Sequence, residues 1–330
     1  MKCAIIGAGA WGTALANVLA ENGHEATIWA FEPDVVDAIE SAHENPRFLP
    51  GIVLHAGVRA ATDKSAALAG AELVVLASPS HVLRTVVEGC HDWTLPSARL
   101  VVATKGIERV TLSLMTDVVS SVLPGRSVVG LSGPSFAAEV ATRQPTAIVA
   151  AARDVADASF VQAAFSTPSF RVYTHDDVTG VELGGALKNV MAVATGISDG
   201  LALGFNARAA LITRGMAEMM RLGAALGARP ATFAGLAGVG DLVLTCTGAL
   251  SRNRAVGLEI GRGRSLQDVL AGRETVAEGV TTTESAKALA AREGIDMPIV
   301  AAVHRILFER QPARWALVEL MARGLRGEED

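Results

Sequence analysis

The stretch AIIGAGAWGTALA, Ala4 to Ala16, places Gly7, Gly9 and Gly12 within six positions directly behind a short apolar run. Lys2 to Ile6 is apolar after its first residue and closed by Gly7, the pattern of a buried parallel strand. Ala10 to Glu21 carries good helix formers and stops at Asn22-Gly23, so the G-x-G-x-x-G lies between a strand and a helix. There the first glycine permits a tight turn, the second lets a pyrophosphate approach the backbone, and the third lets helix and strand pack closely. The helix N-terminus, opening at Ala10, adds unpaired N–H groups and partial positive charge for the phosphates. The turn reads as a dinucleotide-binding turn.

Working outward, Ala26 to Ala30 reads as a second strand and Asp34 to Ala42 as a helix. Glu32 lies 20 residues beyond Gly12, where an acid accepts from the adenosine ribose 2′-OH and repels a 2′-phosphate. An acid next to Pro33 also suits the start of a helix, and the two readings stand side by side. No Lys or Arg occurs between Ala26 and Arg47, so no phosphate clamp is visible locally. The cofactor is NAD or NADP, tilted slightly towards NAD.

After an irregular stretch with Pro46, Pro50 and Gly51, strands are predicted at Leu73 to Ala77, Leu100 to Ala103, Ser127 to Gly130, Thr146 to Ala150 and Phe170 to Tyr173. Their alternation with helices implies an α/β Rossmann-type doubly wound parallel sheet over residues 1–176. From Asp177 the texture changes. Val181 to Gly196, Ala207 to Leu226, Thr282 to Arg292, Ile299 to Leu307 and Ala313 to Leu325 are Ala-rich and helical in pattern. Residues 177–330 therefore read as an all-α C-terminal domain, with the final GEED a solvated tail.

Composition agrees with two globular domains: 330 residues, 50% hydrophobic and 19% charged. A net charge of -5 argues against nucleic acid as the main partner, since a phosphate backbone needs a strongly cationic face. Cys3, Cys90 and Cys246 form no CxxC pair, which suggests neither a disulfide framework nor a zinc site, and no metal is expected. No run approaches the ~18–20 apolar residues of a membrane span and no basic leader precedes the glycine turn, so a cytoplasmic protein is expected.

Four further stretches are unusual together: ATKGIE (103–108), SGPSFAAEV (132–140), ELGGALKNVMAVATGISDGL (182–201) and GLAGVGDLVLTCTGALSRNRAVG (235–257). With GAGAWGTALA, NARAALITRGMAEMMRLGAALGA and VAEGVTTTES they closely resemble the NAD(P)-dependent glycerol-3-phosphate dehydrogenases over nearly the whole chain. The resemblance implies hydride transfer between dihydroxyacetone phosphate and sn-glycerol 3-phosphate at the start of phospholipid synthesis. It also implies a Rossmann domain followed by a helical domain, a homodimer, and a site in the cleft between the domains.

Reducing a ketone requires an acid beside the developing alkoxide. Lys188, in GGALKN, matches the family's proton-transferring lysine, on a small apolar helix where desolvation lowers its pKa. Lys105 matches the lysine that touches substrate and cofactor, and Asp241 matches a substrate-side carboxylate that orients Lys188 or accepts from a substrate hydroxyl. Ser251, Arg252 and Asn253, ahead of a helical stretch, read as a compact anion site for the substrate phosphate, and in the family the arginine also approaches the dinucleotide. Arg254 either helps or is simply solvated.

Gly133 and Ser135 match substrate contacts; Ala137, Val276 and Glu278 match cofactor contacts. Trp11 either covers the dinucleotide or is a core or rim aromatic. Phe31 stands near the adenosine, where family members often carry a basic or polar side chain, and this weakens a strong NADP preference. His81 reads as a helix-start residue and Cys246 as a small buried one. Two competing readings remain. A hydroxyacid or ketopantoate-type dehydrogenase would not need Ser251-Arg252-Asn253 behind GDLVLTC, and a dinucleotide sensor would not need Lys105, Lys188 and Asp241 together.

Overall fold

The computed structural model describes residues 1–271, 277–324 and 327. The predicted tail beyond Gly327 and the predicted helix end at Leu325 lie outside the described residues. The strands are β1 (Lys2–Ile6), β2 (Glu25–Trp29), β3 (Glu44–Asn45), β4 (Leu49–Val53), β5 (Val58–Ala61), β6 (Leu73–Leu76), β7 (Arg99–Val102), β8 (Val128–Ser132), β9 (Thr146–Ala151) and β10 (Phe170–His175). Interleaved with them are α1 (Ala10–Glu21), α2 (Pro33–Ala42), α3 (Lys64–Leu68), α4 (Leu83–Glu88), α5 (Met115–Val122), α6 (Ala137–Ala141) and α7 (Val155–Phe165).

Eight strands form one sheet in the order β10-β9-β8-β7-β6-β1-β2-β5. The strand order reverses between β1 and β6, which makes a crevice at the carboxyl ends of those strands, where open α/β sheets bind ligands. Side chains alternate across the sheet. Cys3 and Ile5 enter a core with α1 and α7, while Ala4 and Ile6 enter a second core with α4 and α5 on the opposite face. Covering both faces explains why these strands read as continuous apolar runs.

Two local expectations are corrected. The β8–β9 pair is antiparallel, so the sheet is mostly rather than wholly parallel. A strand buried on both faces carries the same apolar run in either direction, and only the path through α6 decides which. The stretch taken as irregular contains the β3–β4 hairpin and the edge strand β5, which pairs with β2. Arg59 on β5 is exposed, so the strand shows no buried run.

The second half comprises α8 (Val178–Gly200), α9 (Gly204–Ala225), α10 (Pro230–Phe233), a π-turn at Leu236–Gly240, α11 (Asp241–Thr247), α12 (Arg252–Gly261), α13 (Leu266–Leu270), α14 (Glu278–Arg292), α15 (Pro298–Phe308) and α16 (Ala313–Met321). It packs around α8, which is buried continuously from Gly180 to Ser198 except at Glu182. Close crossing with α12 depends on glycine: a Cβ at Gly196 would lie 2.1 Å from the Arg254 carbonyl oxygen, and one at Gly257 2.1 Å from that of Val193.

Glu182 ties α8 to the sheet half, its carboxylate accepting from the Thr116 N–H at 2.9 Å and from the Thr116 hydroxyl. Burial pushes the Glu182 carboxyl up to about 7, against those two bonds. No helix among the described residues is long and apolar enough to cross a membrane.

Candidate active site

The glycine turn has the geometry its spacing predicts. Gly7 has φ +124°, and a Cβ there would come within 2.9 Å of the Ala77 carbonyl group. A Cβ at Gly12 would lie 2.0 Å from the Gly7 oxygen, whereas one at Gly9 would meet nothing within 4 Å. Thus Gly7 and Gly12 close the turn, and Gly9 leaves open space above its backbone. Gly9 is also the N-cap of α1 and no side chain caps it, so the N–H groups beginning at Ala10 are turned towards that space. These features fit a dinucleotide pyrophosphate. Trp11 packs against the core, yet its indole Nε1 is buried without a partner among the described residues. Phe31, two residues past β2, is 80% exposed, and Glu32 is the N-cap residue of α2, so both roles considered for Glu32 remain compatible with its place.

Across the cleft, three sequence-distant charged side chains meet. The Lys188 Nζ donates to Asp241 Oδ1 at 2.5 Å and to the Thr245 hydroxyl at 2.9 Å. The Lys105 Nζ donates to Asp241 Oδ2 at 2.7 Å and to the Gly133 carbonyl at 3.2 Å. Thr245 donates in turn to the Asp241 carbonyl at 2.6 Å, which leaves its hydroxyl oxygen to accept from Lys188. An ammonium has three N–H donors, so each lysine keeps one beyond these bonds.

This meeting follows from the chain path. Lys105 follows β7 at its carboxyl end, Lys188 lies mid-α8, and Asp241 begins α11 directly after the π-turn. Gly184 lets α8 press on that turn, since a Cβ there would lie 2.2 Å from the Ala237 oxygen. Desolvation lowers the Lys188 pKa to about 8, opposed by the Asp241 charge and reinforced by Lys105. Burial of Asp241 favours its neutral form, but Lys105 and Lys188 outweigh it and hold the carboxyl below the usual range.

Ser135 donates to the Gly133 carbonyl at 3.0 Å, beside Lys105, and Ala137 opens α6 immediately after. Glu278, at the start of α14, accepts from the Ser80 N–H at 3.3 Å across the cleft. Burial pushes its carboxyl up to about 7, while the Ser80 N–H, Arg252, Lys105 and Lys188 pull the other way. Val276 lies outside the described residues.

The Ser251-Arg252-Asn253 run is more divided than its spacing suggests. Ser251 caps α12 by accepting from the Arg254 N–H. The Asn253 amide is engaged by Asn189 Oδ1 and by the Gly279 N–H, both at 2.9 Å. Arg252 is exposed, while Arg254 is bound by Asp199 at 2.7 Å and turned to a structural pair. Sequence reasoning missed Thr245, Asn189 and Ser80. Thr245 was findable as the residue one helical turn beyond Asp241, but Asn189 and Ser80 acquire partners only through folding. His81 lies in a short 3-10 turn with its side chain exposed, and Cys246 is fully buried with its thiol pushed up to about 12 by desolvation.

Residues 2–158 match the family model for the NAD-dependent glycerol-3-phosphate dehydrogenase N-terminus, and residues 177–318 match that for the C-terminus. A glycerol-3-phosphate dehydrogenase [NAD(P)+] of Geobacter sp. (strain M21) is 53% identical over 99% of this chain and 98% of its own. One from Myxococcus xanthus is 50% identical over 99% of each. The crystal structure of glycerol-3-phosphate dehydrogenase from Coxiella burnetii superposes with a TM-score of 0.94 at 41% identity, covering 97% of this chain and 98% of that one. A ketopantoate reductase from Ralstonia eutropha shares the fold alone, at 20% identity and a TM-score of 0.63. A glycine turn on β1, two lysines on one buried aspartate and full-length matches to both halves make this chain a member of the NAD-dependent glycerol-3-phosphate dehydrogenase family.

Proposed function

We propose that this chain interconverts dihydroxyacetone phosphate and sn-glycerol 3-phosphate with NAD(P)H, supplying glycerophospholipid synthesis, with Lys188 as the group that moves the proton. The observation that carries the residue assignment is the Lys105–Asp241–Lys188 cluster, which joins the loop after β7 to α8 and α11 around a fully buried carboxylate. The nicotinamide cofactor, when bound, supplies the hydride to the carbonyl carbon or takes it back.

In reduction, the remaining Lys188 N–H donates to the carbonyl oxygen and its proton passes there as the C=O bond becomes C–O–H. In oxidation the neutral amine takes the hydroxyl proton. A pKa near 8 keeps both forms accessible close to neutrality. Asp241 orients both ammonium groups and stays ionised between them, so it does not compete as the acid. Lys105 directs its remaining N–H to substrate oxygen and adds positive charge beside the developing alkoxide. Arg252, whose side chain is exposed, is assigned to the substrate phosphate.

The glycines at 7, 9 and 12, with Ala10, Trp11, Phe31, Glu32, Ala137 and Glu278, are assigned to the cofactor. The division of labour we propose places the cofactor on residues 1–176 and the catalytic and substrate groups on 177–330, with Lys105 reaching across. We place the enzyme in the cytoplasm as a homodimer, which light scattering on the purified chain tests. The activity is tested by following cofactor absorbance with dihydroxyacetone phosphate; absence of substrate-dependent oxidation with both NADH and NADPH would overturn it.

A further inference from the structure

Ser132, the last residue of β8, holds a hydroxyl that folding leaves without a partner. The residue is 6% exposed, and its Oγ is buried with no hydrogen-bond partner among the described residues. Side chains alternate along β8: Val129 and Leu131 enter the core with α1 and α7, so Gly130 and Ser132 face the other way, onto α8. A Cβ at Gly130 would lie 3.5 Å from Glu182 Cγ, and one at Gly185 would lie 2.6 Å from the Ser132 Oγ and 3.4 Å from Lys105 Cδ. The missing side chain at Gly185 thus lets the Ser132 hydroxyl and the Lys105 stem share one face of α8. Lys188 is one helical turn further along and lies on the same face.

The neighbouring polar groups are committed elsewhere. Ser135 donates to the Gly133 carbonyl, Glu182 accepts from Thr116, Thr245 joins Lys188 to the Asp241 carbonyl, and Asn189 Oδ1 accepts from Asn253. An unpaired buried hydroxyl is costly, and it is retained where something outside the chain completes it.

The order of groups along α8 says which part of the substrate meets Ser132. Arg252, assigned to the phosphate, opens α12, and α12 packs over the later part of α8: the Asn253 amide meets Asn189, and Gly257 crosses at Val193. Lys188, assigned to the carbonyl oxygen, precedes that region, and Ser132 lies earlier still, beside Gly185. From Gly185 to Asn189 the helix rises about 6 Å, a length that a three-carbon phosphate ester spans. With its phosphate towards α12 and its carbonyl oxygen on Lys188, dihydroxyacetone phosphate turns its remaining polar group, the hydroxyl on the unphosphorylated terminal carbon, towards Ser132.

We propose that Ser132 is a specificity-determining residue whose hydroxyl pairs with the terminal hydroxyl of dihydroxyacetone phosphate and of sn-glycerol 3-phosphate. A serine hydroxyl turns among three staggered positions about χ1, so it leaves its place against Gly185 when substrate arrives. The site then favours a hydroxymethyl ketone over a methyl ketone, because the analogue without the hydroxyl leaves Ser132 unpaired.

This inference rests on the proposed activity, so its test compares two ligands on the same chain. One is dihydroxyacetone phosphate, followed through kcat and KM. The other is hydroxyacetone phosphate, which carries a methyl group in place of the terminal hydroxymethyl and is followed through its inhibition constant. Ser132→Ala should lower kcat/KM for dihydroxyacetone phosphate by about 10-fold, the size of one lost hydrogen bond, chiefly through KM, and leave the inhibition constant nearly unchanged. Ser132→Cys, similar in shape but a weak donor, should fall between Ser132→Ala and the parent. The Tm of Ser132→Ala should equal or exceed that of the parent, since no bond within the chain is lost. Equal weakening of both ligands, no change for dihydroxyacetone phosphate, or a Tm several degrees lower would overturn the proposal, the last because the hydroxyl would then serve the fold. Absence of turnover of dihydroxyacetone phosphate by the unaltered chain would instead remove the proposed activity, and this assignment with it.

Discussion

Helices α8 and α9 have nearly the same length and the same Ala-rich texture, yet they occupy opposite environments. Buried residues run almost unbroken from Gly180 to Ser198 in α8, whereas in α9 only Gly215, Glu218, Met219, Leu222 and Gly223 are buried. The difference lies in how neighbours reach the helix surface. At Gly184, Gly196 and Gly200 of α8, a Cβ would fall 2.1–2.3 Å from a neighbouring backbone oxygen. At Gly215 of α9 the nearest atom is the flexible Met191 side chain, 2.8 Å away.

Each helix also holds a fully enclosed charged residue near its middle or end, Lys188 in α8 and Glu218 in α9, and the solutions differ. Lys188 is paired with a carboxylate and a hydroxyl in the cleft, whereas Glu218 accepts from the Ile299 and Val300 N–H groups at the start of α15, at 2.6 and 3.2 Å. The first arrangement leaves a third N–H beyond those two bonds; the second closes a helix end. Burial alone therefore does not distinguish the two charges.

The largest expected effect separates these two charges. Lys188→Met should lower kcat by about 10²-fold or more, the lower bound for a lost general acid, with cofactor binding nearly intact. Glu218→Gln should leave kcat close to the parent value. Lys105→Met is the control: if Lys188→Met turns over within a factor of about 5 of the parent, well under the range for a general acid, Lys105 takes that role. In the parent, reduction should fall as pH rises through about 8, as the ammonium is lost, and oxidation should rise over the same interval; pH–rate profiles in both directions test this.

The next effect concerns the exposed cation at the start of α12. Arg252→Ala should raise the KM for dihydroxyacetone phosphate by about 10- to 100-fold, equivalent to a charge-assisted bond of ~1.5–3 kcal/mol. An unchanged KM would remove Arg252 from the substrate site.

Smaller effects test the packing contrast. Gly196→Ala should destabilise the fold by about 1–3 kcal/mol, because the rigid Arg254 carbonyl must move. Gly215→Ala should change stability by less than about 1 kcal/mol, since Met191 can shift and alanine favours the helix. Equal costs in denaturant titrations would show that backbone proximity is not what separates the two helices.

The smallest effect is in pH dependence. Desolvation pushes the Glu218 carboxyl up to about 7, above its unfolded value, although the two N–H donors oppose this. The native state therefore holds a proton that the unfolded chain releases between the ordinary glutamate range and about pH 7, and stability from this group falls as pH rises through that window. Tm measured from pH 5 to 8 should decline less in Glu218→Gln than in the parent. Parallel curves would show that Glu218 does not titrate there.

What the sequence by itself determined was local. Three glycines at fixed spacing, an apolar run before them and helix formers after them specify a turn whose geometry is set by the backbone of a few residues. The long Ala-rich helices were legible for the same reason, since helical pattern and stop signals act within a few turns. The motifs around Lys105, Lys188 and Asp241 also marked those residues before any contact was known.

Only the tertiary structure decided which side chains share a bond. Lys188 and Asp241 are 53 residues apart, and their contact depends on Gly184 admitting the π-turn before α11. Asn253, read as a phosphate ligand, spends its amide on Asn189 and Gly279, while Arg47 reaches Asp34 because Asn45 fastens a hairpin to the glycine turn. A side chain's type states what it can bind, but competition among neighbours brought together by packing decides what it does bind. That competition has no counterpart in local sequence, because its members arrive from different elements.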